Sequence, residues 1–339
     1  MRGKERVTAV MKGQPYDQRP FCPLLSLYGA KLTECSLRTY YTDPASYSRG
    51  QQAVAETFHP DVLLSPFFMA GFGEAFGGEL RYFEKQPPNL ARPAISSIYE
   101  LPDLNIPDPD SHPSLVYQRE ALRNLVIQHG QETIIAASLL GPFDLPIMIM
   151  GLESWLEIVL CDPGGVKQML DVTTPFFLKW IEILIAEGAD ALVLPSPFLT
   201  PAILTCEVAE RIVLPALRGI YDQLPCPVIL HSVGGPFMPL LKLLGKLPNI
   251  GGAVVDEGED LVMVRDVLGP GRILFGGLDG GLIWRRTPEE LRVATHQILN
   301  ERKDDLHFVF TATGPDVDWR TTPEQLHAIL SAISEDGCT

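Results

Sequence analysis

The sequence predicts an α/β protein, specifically a (β/α)8 TIM barrel with an insertion between its second and third strands. Eight short apolar segments, most of them rich in β-branched residues, recur along the 339 residues. Several are continuously apolar, which is typical of parallel strands buried on both faces. Amphipathic helical stretches separate most of these segments, and such alternation favours a parallel barrel. We expect residues 1–339 to form one barrel domain.

The predicted strands mostly end in Gly, Pro, Ser or Asp, the residues that begin turns. In chain order they are Arg19–Ser26, Asp61–Ser65, Thr133–Leu140, Ala191–Pro195, Pro227–His231, Gly252–Val255, Arg272–Phe275 and His307–Thr311. The clearest predicted helices are Thr174–Glu187, Glu207–Gln223, Met238–Leu244, Leu261–Leu268 and Pro288–Glu301. The last of these begins after Thr287, a typical N-cap residue, with proline in its first position.

The chain between the second and third strands is longer than a simple crossover requires. Within it, Leu80–Phe83 predicts part of a hairpin, and Pro87–Pro113 predicts an extended loop with many prolines. We expect this insertion to cover the mouth of the barrel. No stretch has the composition of a linker between domains.

The composition excludes several classes of partner. The formal net charge is −15, from 27 basic and 42 acidic residues, which argues against nucleic acid or an anionic membrane as the main partner. No apolar run approaches the ~18–20 residues of a membrane span. The six cysteines include no CxxC pair and the N-terminus leads into no apolar signal region, so we expect a cytoplasmic protein with reduced thiols.

Catalytic residues of such barrels lie at the carboxyl ends of strands. His231 ends the fifth predicted strand and could bind zinc or act as a general acid or base, although a buried histidine is also compatible with a structural role. Asp256 follows the sixth strand and could bind metal or transfer a proton. It could equally cap the helix that starts near Asp260.

Three further polar residues follow predicted strands. Asp279 lies in GGLDGG, where the glycines admit a close ligand, but a turn role is equally compatible with this motif. Asp316 lies in TGPDVDW after the last strand and could serve the site or form a turn. Tyr28 follows the first strand and could donate a hydrogen bond to a substrate oxygen. Glu210 lies on a predicted helix and is a weaker candidate metal ligand.

The apolar side chains at the strand ends could either line a substrate pocket or belong to the core. With Asp279, the predicted substrate-binding residues are Phe67, Phe68, Met69, Phe143, Met148, Phe198 and Trp319. A pocket with such a wall suits a small, mainly apolar ligand that a few polar groups orient.

Several segments in order resemble barrels of the uroporphyrinogen decarboxylase superfamily. They include RVTAVMKGQPYDQRPFCPL, GPFDLPIMIMGLESWLEIVLCDPGGV, EGADALVLPSP, VILHSVGG and TGPDVDWRTTPEQL. The resemblance covers nearly the whole chain and implies the same barrel. The stretch LLSLYGAKLTECSL lacks the arginines that the tetrapyrrole-decarboxylating branch carries there, so the resemblance favours the corrinoid-protein-linked methyltransferase branch.

Within that branch, the chain is most similar to the methyltransferases that cleave methyl ethers. Their zinc ligands follow a spacing of Glu, 14 residues, Glu, 20 residues, His, and Glu210 and His231 match its second interval, whereas Pro195 occupies the first position. The zinc-binding His-x-Cys-Gly of the thiol-methylating members reads His231-Ser-Val-Gly here. The resemblance therefore implies zinc bound by His231 and Glu210, with a carboxylate such as Asp316 completing the site.

The implied reaction takes a methyl group from a methyl ether, such as a methoxyarene, and passes it to a corrinoid carried by a partner protein. The implied catalytic residues are His231, Asp316, Tyr28 and Asp256. A decarboxylase-like lyase acting on a small carboxylic acid and a non-catalytic ligand-binding barrel are the alternatives. A homodimer is compatible with each of these three functions.

Overall fold

The computed structural model describes residues 1–336 and contains the expected (β/α)8 barrel. Eight parallel strands form one sheet in the order β1-β10-β9-β8-β7-β6-β5-β2. In chain order the strands are β1 Phe21–Cys22, β2 Val62–Leu64, β3 Glu79–Arg81, β4 Asn89–Arg92, β5 Ile134–Ser138, β6 Ala191–Pro195, β7 Val228–His231, β8 Ile250–Val254, β9 Ile273–Asp279 and β10 Phe308–Thr313. The end strands of this order, β1 and β2, lie next to each other. The N–H of Asp61, just before β2, donates to Phe21 O of β1 at 3.0 Å.

Helices surround the strands. In chain order they are α1 Gly3–Met11, α2 Tyr28–Leu32, α3 Leu37–Tyr40, α4 Pro44–Phe58, α5 Ala70–Ala75, α6 Pro113–His129, α7 Leu145–Met150, α8 Leu152–Cys161, α9 Pro163–Ala186, α10 Cys206–Val208, α11 Leu214–Tyr221, α12 Met238–Leu244, α13 Leu261–Leu268, α14 Pro288–Glu301 and α15 Pro323–Asp336. Short 3-10 turns cover Ile98–Asp103 and Ile283–Arg285, and a π turn covers Ala209–Val213. No helix within residues 1–336 combines the length and hydropathy that crossing a bilayer requires.

Two predicted elements differ from the observed ones because of proline. The predicted first strand, Arg19–Ser26, is shortened to the two residues of β1. Pro20 and Pro23 flank β1 and have no N–H to donate to a neighbouring strand. The predicted helix Glu207–Gln223 is divided into α10, the π turn and α11. Pro215 lies in the first turn of α11 and cannot donate to the carbonyl one turn earlier, which interrupts the regular helical hydrogen bonding.

Helix α1 covers the N-terminal end of the barrel. Its Val7 and Val10 pack against interior side chains of the strands. The buried Arg6 forms an ion pair with Asp61, which also accepts a hydrogen bond from Phe21 N at 2.8 Å. These contacts fix α1 beneath β1 and β2.

The insertion predicted between the second and third barrel strands contains the antiparallel hairpin β3–β4. Its turn lies at the opposite end of the barrel from α1, over the carboxyl ends of the strands, where it contributes to a pocket described below. Residues 83–89 are the part of the insertion that reaches the barrel mouth. The predicted extended loop Pro87–Pro113 instead contains β4 and the 3-10 turn Ile98–Asp103.

Most of the hydrophobic core lies between the strands and the surrounding helices. A second, smaller cluster fills part of the barrel interior, where residues such as Cys22, Leu64 and Val309 face one another. The barrel therefore separates a large outer core from a thin inner one.

Candidate active site

A pocket of about 430 Å³ opens at the barrel mouth. It is bounded by the loops that follow β1, β2 and β10, by α7 and by the β3–β4 turn. Its lining residues are Leu27, Phe67, Met69, Ala70, Phe83, Lys85, Gln86, Pro87, Pro88, Asn89, Met148, Gly281, Pro315, Asp316, Val317, Asp318 and Trp319. We call it the mouth pocket.

Half of the predicted substrate-binding residues line the mouth pocket. Phe67, Met69, Met148 and Trp319 all do so with partly exposed side chains. Together they form an apolar wall of two aromatic rings and two thioether chains, which suits the face of a flat apolar ligand.

The other predicted apolar residues belong to the core. Phe68 is buried against Tyr41, with ring centroids 5.3 Å apart. Phe143 and Phe198 both pack on the buried Trp155, with centroids 5.6 and 6.3 Å away. None of these three residues lines the mouth pocket.

Asp316 lies at the edge of the mouth pocket, but both of its carboxylate oxygens are used by the backbone. Oδ2 accepts a hydrogen bond from Leu27 N at 2.7 Å, and Oδ1 accepts one from Val317 N at 2.9 Å. Burial raises the pKa of Asp316 well above its usual range, although these two hydrogen bonds oppose that shift. The carboxylate thus ties the loop after β1 to the loop after β10.

Tyr28 is placed away from the mouth pocket. It is fully buried in the first turn of α2, and its hydroxyl donates to Thr321 O at 2.7 Å. Burial raises the pKa of its phenol to about 12. Its hydroxyl fastens α2 to the segment before α15, and the proton that a substrate oxygen would need is already donated.

The ends of β8 and β9 bring three carboxylates together. Glu257 Oε2 accepts a hydrogen bond from Asp279 N at 2.7 Å, and Glu257 Oε1 pairs with Arg286 at 2.7 Å. Burial raises the pKa of Asp279, and the charges of Asp256 and Glu257 raise it further. The cap of α13 is Asp260, whose Oδ1 accepts from Val262 N and Met263 N. Asp256 is therefore free of that capping role.

Asp279 does not line the mouth pocket, but it contacts a residue that does. Its Oδ1 accepts a hydrogen bond at 2.8 Å from the N–H of Gly281, which lines the pocket. A Cβ added to Gly314 would come within 3.4 Å of the same oxygen. A half-buried carboxyl with a raised pKa, bonded to a residue of the pocket lining, is a candidate for proton exchange with a ligand.

His231 ends β7 inside the barrel, opposite Pro195 of β6 and Val254 of β8. Its Nδ1 accepts a hydrogen bond from Val233 N at 2.9 Å, and its buried Nε2 has no partner within residues 1–336. Burial lowers the pKa of the imidazole to about 4, so the ring is neutral near pH 7. His231 does not line the mouth pocket.

The predicted zinc set does not fit this arrangement. Glu210 is exposed on the π turn, whereas His231 is buried inside the barrel and both oxygens of Asp316 accept backbone hydrogen bonds. Among the described residues, no group of three or more His, Cys, Asp and Glu side chains could hold a metal ion. A zinc-bound histidine normally donates from its other ring nitrogen, whereas Nδ1 of His231 accepts.

The sequence did not predict three residues of the mouth pocket or one buried carboxyl outside its lining. Phe83, Lys85 and Asn89 reach the mouth pocket from the β3–β4 turn, and only the predicted hairpin hinted at them. Asp144 was also missed, because it precedes α7 and resembles an ordinary N-cap. Its Oδ1 accepts from Phe198 N at 2.9 Å. Burial raises its pKa to about 8, although hydrogen bonds from Phe198 N and the Ser196 side chain oppose the shift.

Comparisons with known proteins agree with this architecture. The family described as uroporphyrinogen decarboxylase (URO-D) matches residues 2–335. The methylcobamide:CoM methyltransferase MtbA of Methanosarcina acetivorans is 24% identical over 307 residues, covering 88% of each chain. A methylated-thiol–coenzyme M methyltransferase of Methanosarcina mazei is 29% identical over 203 residues, covering 58% of this chain and 52% of that one.

Solved structures share the fold. A methyltransferase from Methanosarcina mazei superposes with a TM-score of 0.88 over 99% of both chains at 17% identity. A putative vitamin-B12-independent methionine synthase from Listeria monocytogenes gives a TM-score of 0.60 at 14% identity, over 95% of this chain and 97% of that one.

Proposed function

This chain belongs to the uroporphyrinogen decarboxylase family, and on that premise we propose that it is a methyltransferase that passes a methyl group to a corrinoid on a partner protein. The relatives named methylcobamide:CoM methyltransferase support methyl transfer with a corrinoid substrate. The observation that carries the choice of methyl donor is the apolar wall of the mouth pocket. We propose that the donor is a methyl ether on an aromatic ring.

The mouth pocket matches such a donor in size and character. Its volume of about 430 Å³ lies in the range of small-molecule sites. The rings of Phe67 and Trp319 and the thioethers of Met69 and Met148 offer apolar contact to an arene. Among the pocket's described lining residues, Lys85 is the one cation, so a substrate with several carboxylates would find few partners there.

Cleavage of a methyl ether requires that the departing oxygen be stabilised. The methyl carbon–oxygen bond breaks with both electrons on the oxygen, and the methyl carbon bonds to the electron pair of the reduced cobalt. The resulting phenolate then takes up a proton. We assign this proton to Asp279, because its pKa is raised and its carboxylate is hydrogen-bonded to Gly281 of the mouth pocket.

The partner would approach from the side of the β3–β4 turn, because the mouth pocket opens there and α1 covers the other end of the barrel. The proposed location is the cytoplasm, where a reduced corrinoid is compatible with free thiols. The residues present do not fit a zinc ion, so the proposed steps use none.

The test is methyl transfer by the purified chain, with cob(I)alamin standing in for the partner's corrinoid and a series of methoxyarenes as donors. Consumption of cob(I)alamin is followed by its absorbance, and release of the phenol by chromatography. Asp279→Asn should lower kcat at least tenfold. Asp171→Asn, an exposed carboxylate paired with Lys167 on α9, is the matched control and should keep full activity.

Two outcomes would contradict the proposal. If no methoxyarene yields its phenol with cob(I)alamin or with a corrinoid protein, methyl ether cleavage is wrong. If a small carboxylic acid instead releases carbon dioxide without any corrinoid, the chain is a lyase.

A further inference from the structure

A second cavity lies inside the barrel, separate from the mouth pocket. Its volume is about 480 Å³, and it shares no lining residue with the mouth pocket. Its outer end lies at the N-terminal face of the barrel, where Met11, Ile185, Cys226 and Gly271 surround it. Its inner end reaches His231 of β7, near the carboxyl ends of the strands. We call it the barrel cavity.

The barrel cavity exists because several interior positions carry small side chains. The interior of a (β/α)8 barrel is normally filled by layers of bulky branched residues. Here Ala136, Ala191 and Gly251 line the interior instead. As a result, Val193 and Phe275 on the strand interior are only partly buried.

The lining is mainly apolar. Among its described residues, the one charged side chain is Asp190, whose oxygens accept hydrogen bonds from Lys4 Nζ at 2.7 Å and from Ile135 N at 3.0 Å. The aliphatic interior residues include Val7, Leu24, Val62, Leu64, Ile134, Ile229, Val254 and Ile273. The hydroxyl of Thr311 also lines the cavity, but it already donates to Cys22 O at 2.6 Å. Water gains few hydrogen bonds in such a space, whereas apolar molecules enter apolar cavities readily.

His231 differs from the other polar lining residues, because one of its ring nitrogens has no hydrogen-bond partner within residues 1–336. Its Nδ1 accepts a hydrogen bond from Val233 N, so this nitrogen carries no proton and the ring proton lies on Nε2. The Nε2–H is therefore a buried donor without an acceptor among the described residues. A buried unpaired donor costs free energy, and a ligand with an acceptor atom at the inner end of the cavity would remove that cost.

We propose that the barrel cavity is a binding site for a neutral, mainly hydrocarbon molecule with one terminal oxygen acceptor, such as a medium-chain ketone or alcohol. The hydrocarbon part would occupy the aliphatic channel. Nε2 of His231 is itself fully buried, so a small shift of the imidazole toward the cavity would bring this N–H to the ligand oxygen. A carboxylate is disfavoured, because one neutral donor does not offset the burial of a full charge. The volume is about three times that of the ~150 Å³ cavity that holds one benzene. This site does not depend on the proposed methyl transfer.

The experiment measures binding of 2-octanone and of n-octane to the whole chain by ligand-observed NMR. We expect saturable binding of 2-octanone at one site. His231→Phe keeps a ring but removes the donor, so it should weaken 2-octanone binding about 3- to 10-fold, the net value of one neutral hydrogen bond. It should leave n-octane binding nearly unchanged.

Filling variants locate the site. Ala191→Leu and Val254→Ile each reduce the volume of the barrel cavity and should weaken binding of both ligands. The effect of Ala191→Leu should be the larger, because it adds three carbon atoms and Val254→Ile adds one. Two different filling variants are used so that a folding defect in one, visible by circular dichroism, leaves the other to decide. Met148→Ala alters only the mouth pocket and should leave both affinities unchanged.

The inference is overturned if the wild-type chain shows no saturable binding of 2-octanone. It is also overturned if the folded filling variants bind as tightly as the wild type, or if Met148→Ala abolishes binding, which would place the ligand in the mouth pocket.

Discussion

The backbone N–H of Val233 donates to Nδ1 of His231 at 2.9 Å, two residues along the same loop. This contact makes Nδ1 an acceptor and leaves the ring proton on Nε2. It is formed by a backbone that turns sharply, since Val233 has a φ of 59°, in the left-handed region that valine rarely adopts. The loop after β7 therefore fixes the hydrogen-bonding state of the one histidine that ends a barrel strand.

The first prediction concerns metal content. A zinc ion on Nε2 would require the tautomer that the Val233 N–H opposes, and Glu210 and Asp316 do not complete a ligand set. We therefore expect elemental analysis to find the same zinc content in the wild type and in His231→Ala after both are supplied with zinc. About one zinc per chain in the wild type, lost in His231→Ala, would refute this expectation and restore the predicted site.

The second prediction concerns Asp144. Its pKa is about 8 in the folded chain, against an ordinary value of 3.8, so between these values the folded state holds a proton that the unfolded state has released. Stability should then fall as the pH rises from about 4 to 8, by up to ~1.4 kcal/mol per pH unit. Asp144→Asn imitates the protonated form and should remove this slope in urea unfolding.

His231 should give the opposite pH dependence of stability, which His231→Phe tests. The histidine titrates at about 4 when folded and near 6.5 when unfolded, so the unfolded state takes up the proton first as the pH falls. Relative to His231→Phe, the wild type should lose stability as the pH falls from 6.5 to about 4. If neither variant changes the pH profile, the two groups are not buried as described.

The third prediction separates a structural tie from a catalytic acid at Asp316. Asp316→Asn keeps the size of the side chain but leaves one acceptor oxygen for the two N–H groups of Leu27 and Val317. The free energy of unfolding should fall by about 1–3 kcal/mol, the cost of one buried unpaired donor. Asp318→Asn, on the same loop but in a partly exposed pair with Arg320, should change it by at most about 1 kcal/mol. An unchanged stability in Asp316→Asn would contradict the tie.

Much of the fold was predictable because its signal is local. Continuous apolar segments bounded by turn residues located all eight barrel strands, and Thr287 is the N-cap of α14 as its sequence suggested. The shortening of β1 also follows from sequence, because Pro20 and Pro23 each remove a donor. The π turn before α11 was not predicted. It follows from Pro215, whereas the spacing of apolar residues is compatible with one continuous helix.

The site was less predictable because strand-end position does not specify side-chain direction. Phe67 and Phe68 are neighbours in sequence, yet one lines the mouth pocket and the other packs on Tyr41. Asp256 and Glu257 are also neighbours, yet Glu257 contacts Asp279 N and Arg286, whereas Oδ1 of Asp256 has no partner within residues 1–336. Leu27, which donates to Asp316 Oδ2, and Thr321, which accepts from Tyr28, lie 289 and 293 residues away in sequence. No local pattern could show that these polar atoms were already in use.

The last prediction compares a core residue, Phe143, with a residue that lines the mouth pocket, Met148. Phe143 is fully buried against Trp155, whose Nε1 donates to Phe143 O at 2.9 Å. Phe143→Ala should therefore destabilise the fold by about 3–5 kcal/mol. Met148 is partly exposed in the mouth pocket, so Met148→Ala should cost only about 1 kcal/mol in stability.

The two variants should also separate in ligand affinity. Met148→Ala removes contact area from the apolar wall, so we expect it to raise KM for a methoxyarene several-fold while kcat changes little. Urea unfolding and steady-state kinetics on the two variants give both comparisons. If Met148→Ala instead lowers stability as much as Phe143→Ala and leaves KM unchanged, Met148 is a core residue and the apolar wall does not bind the donor.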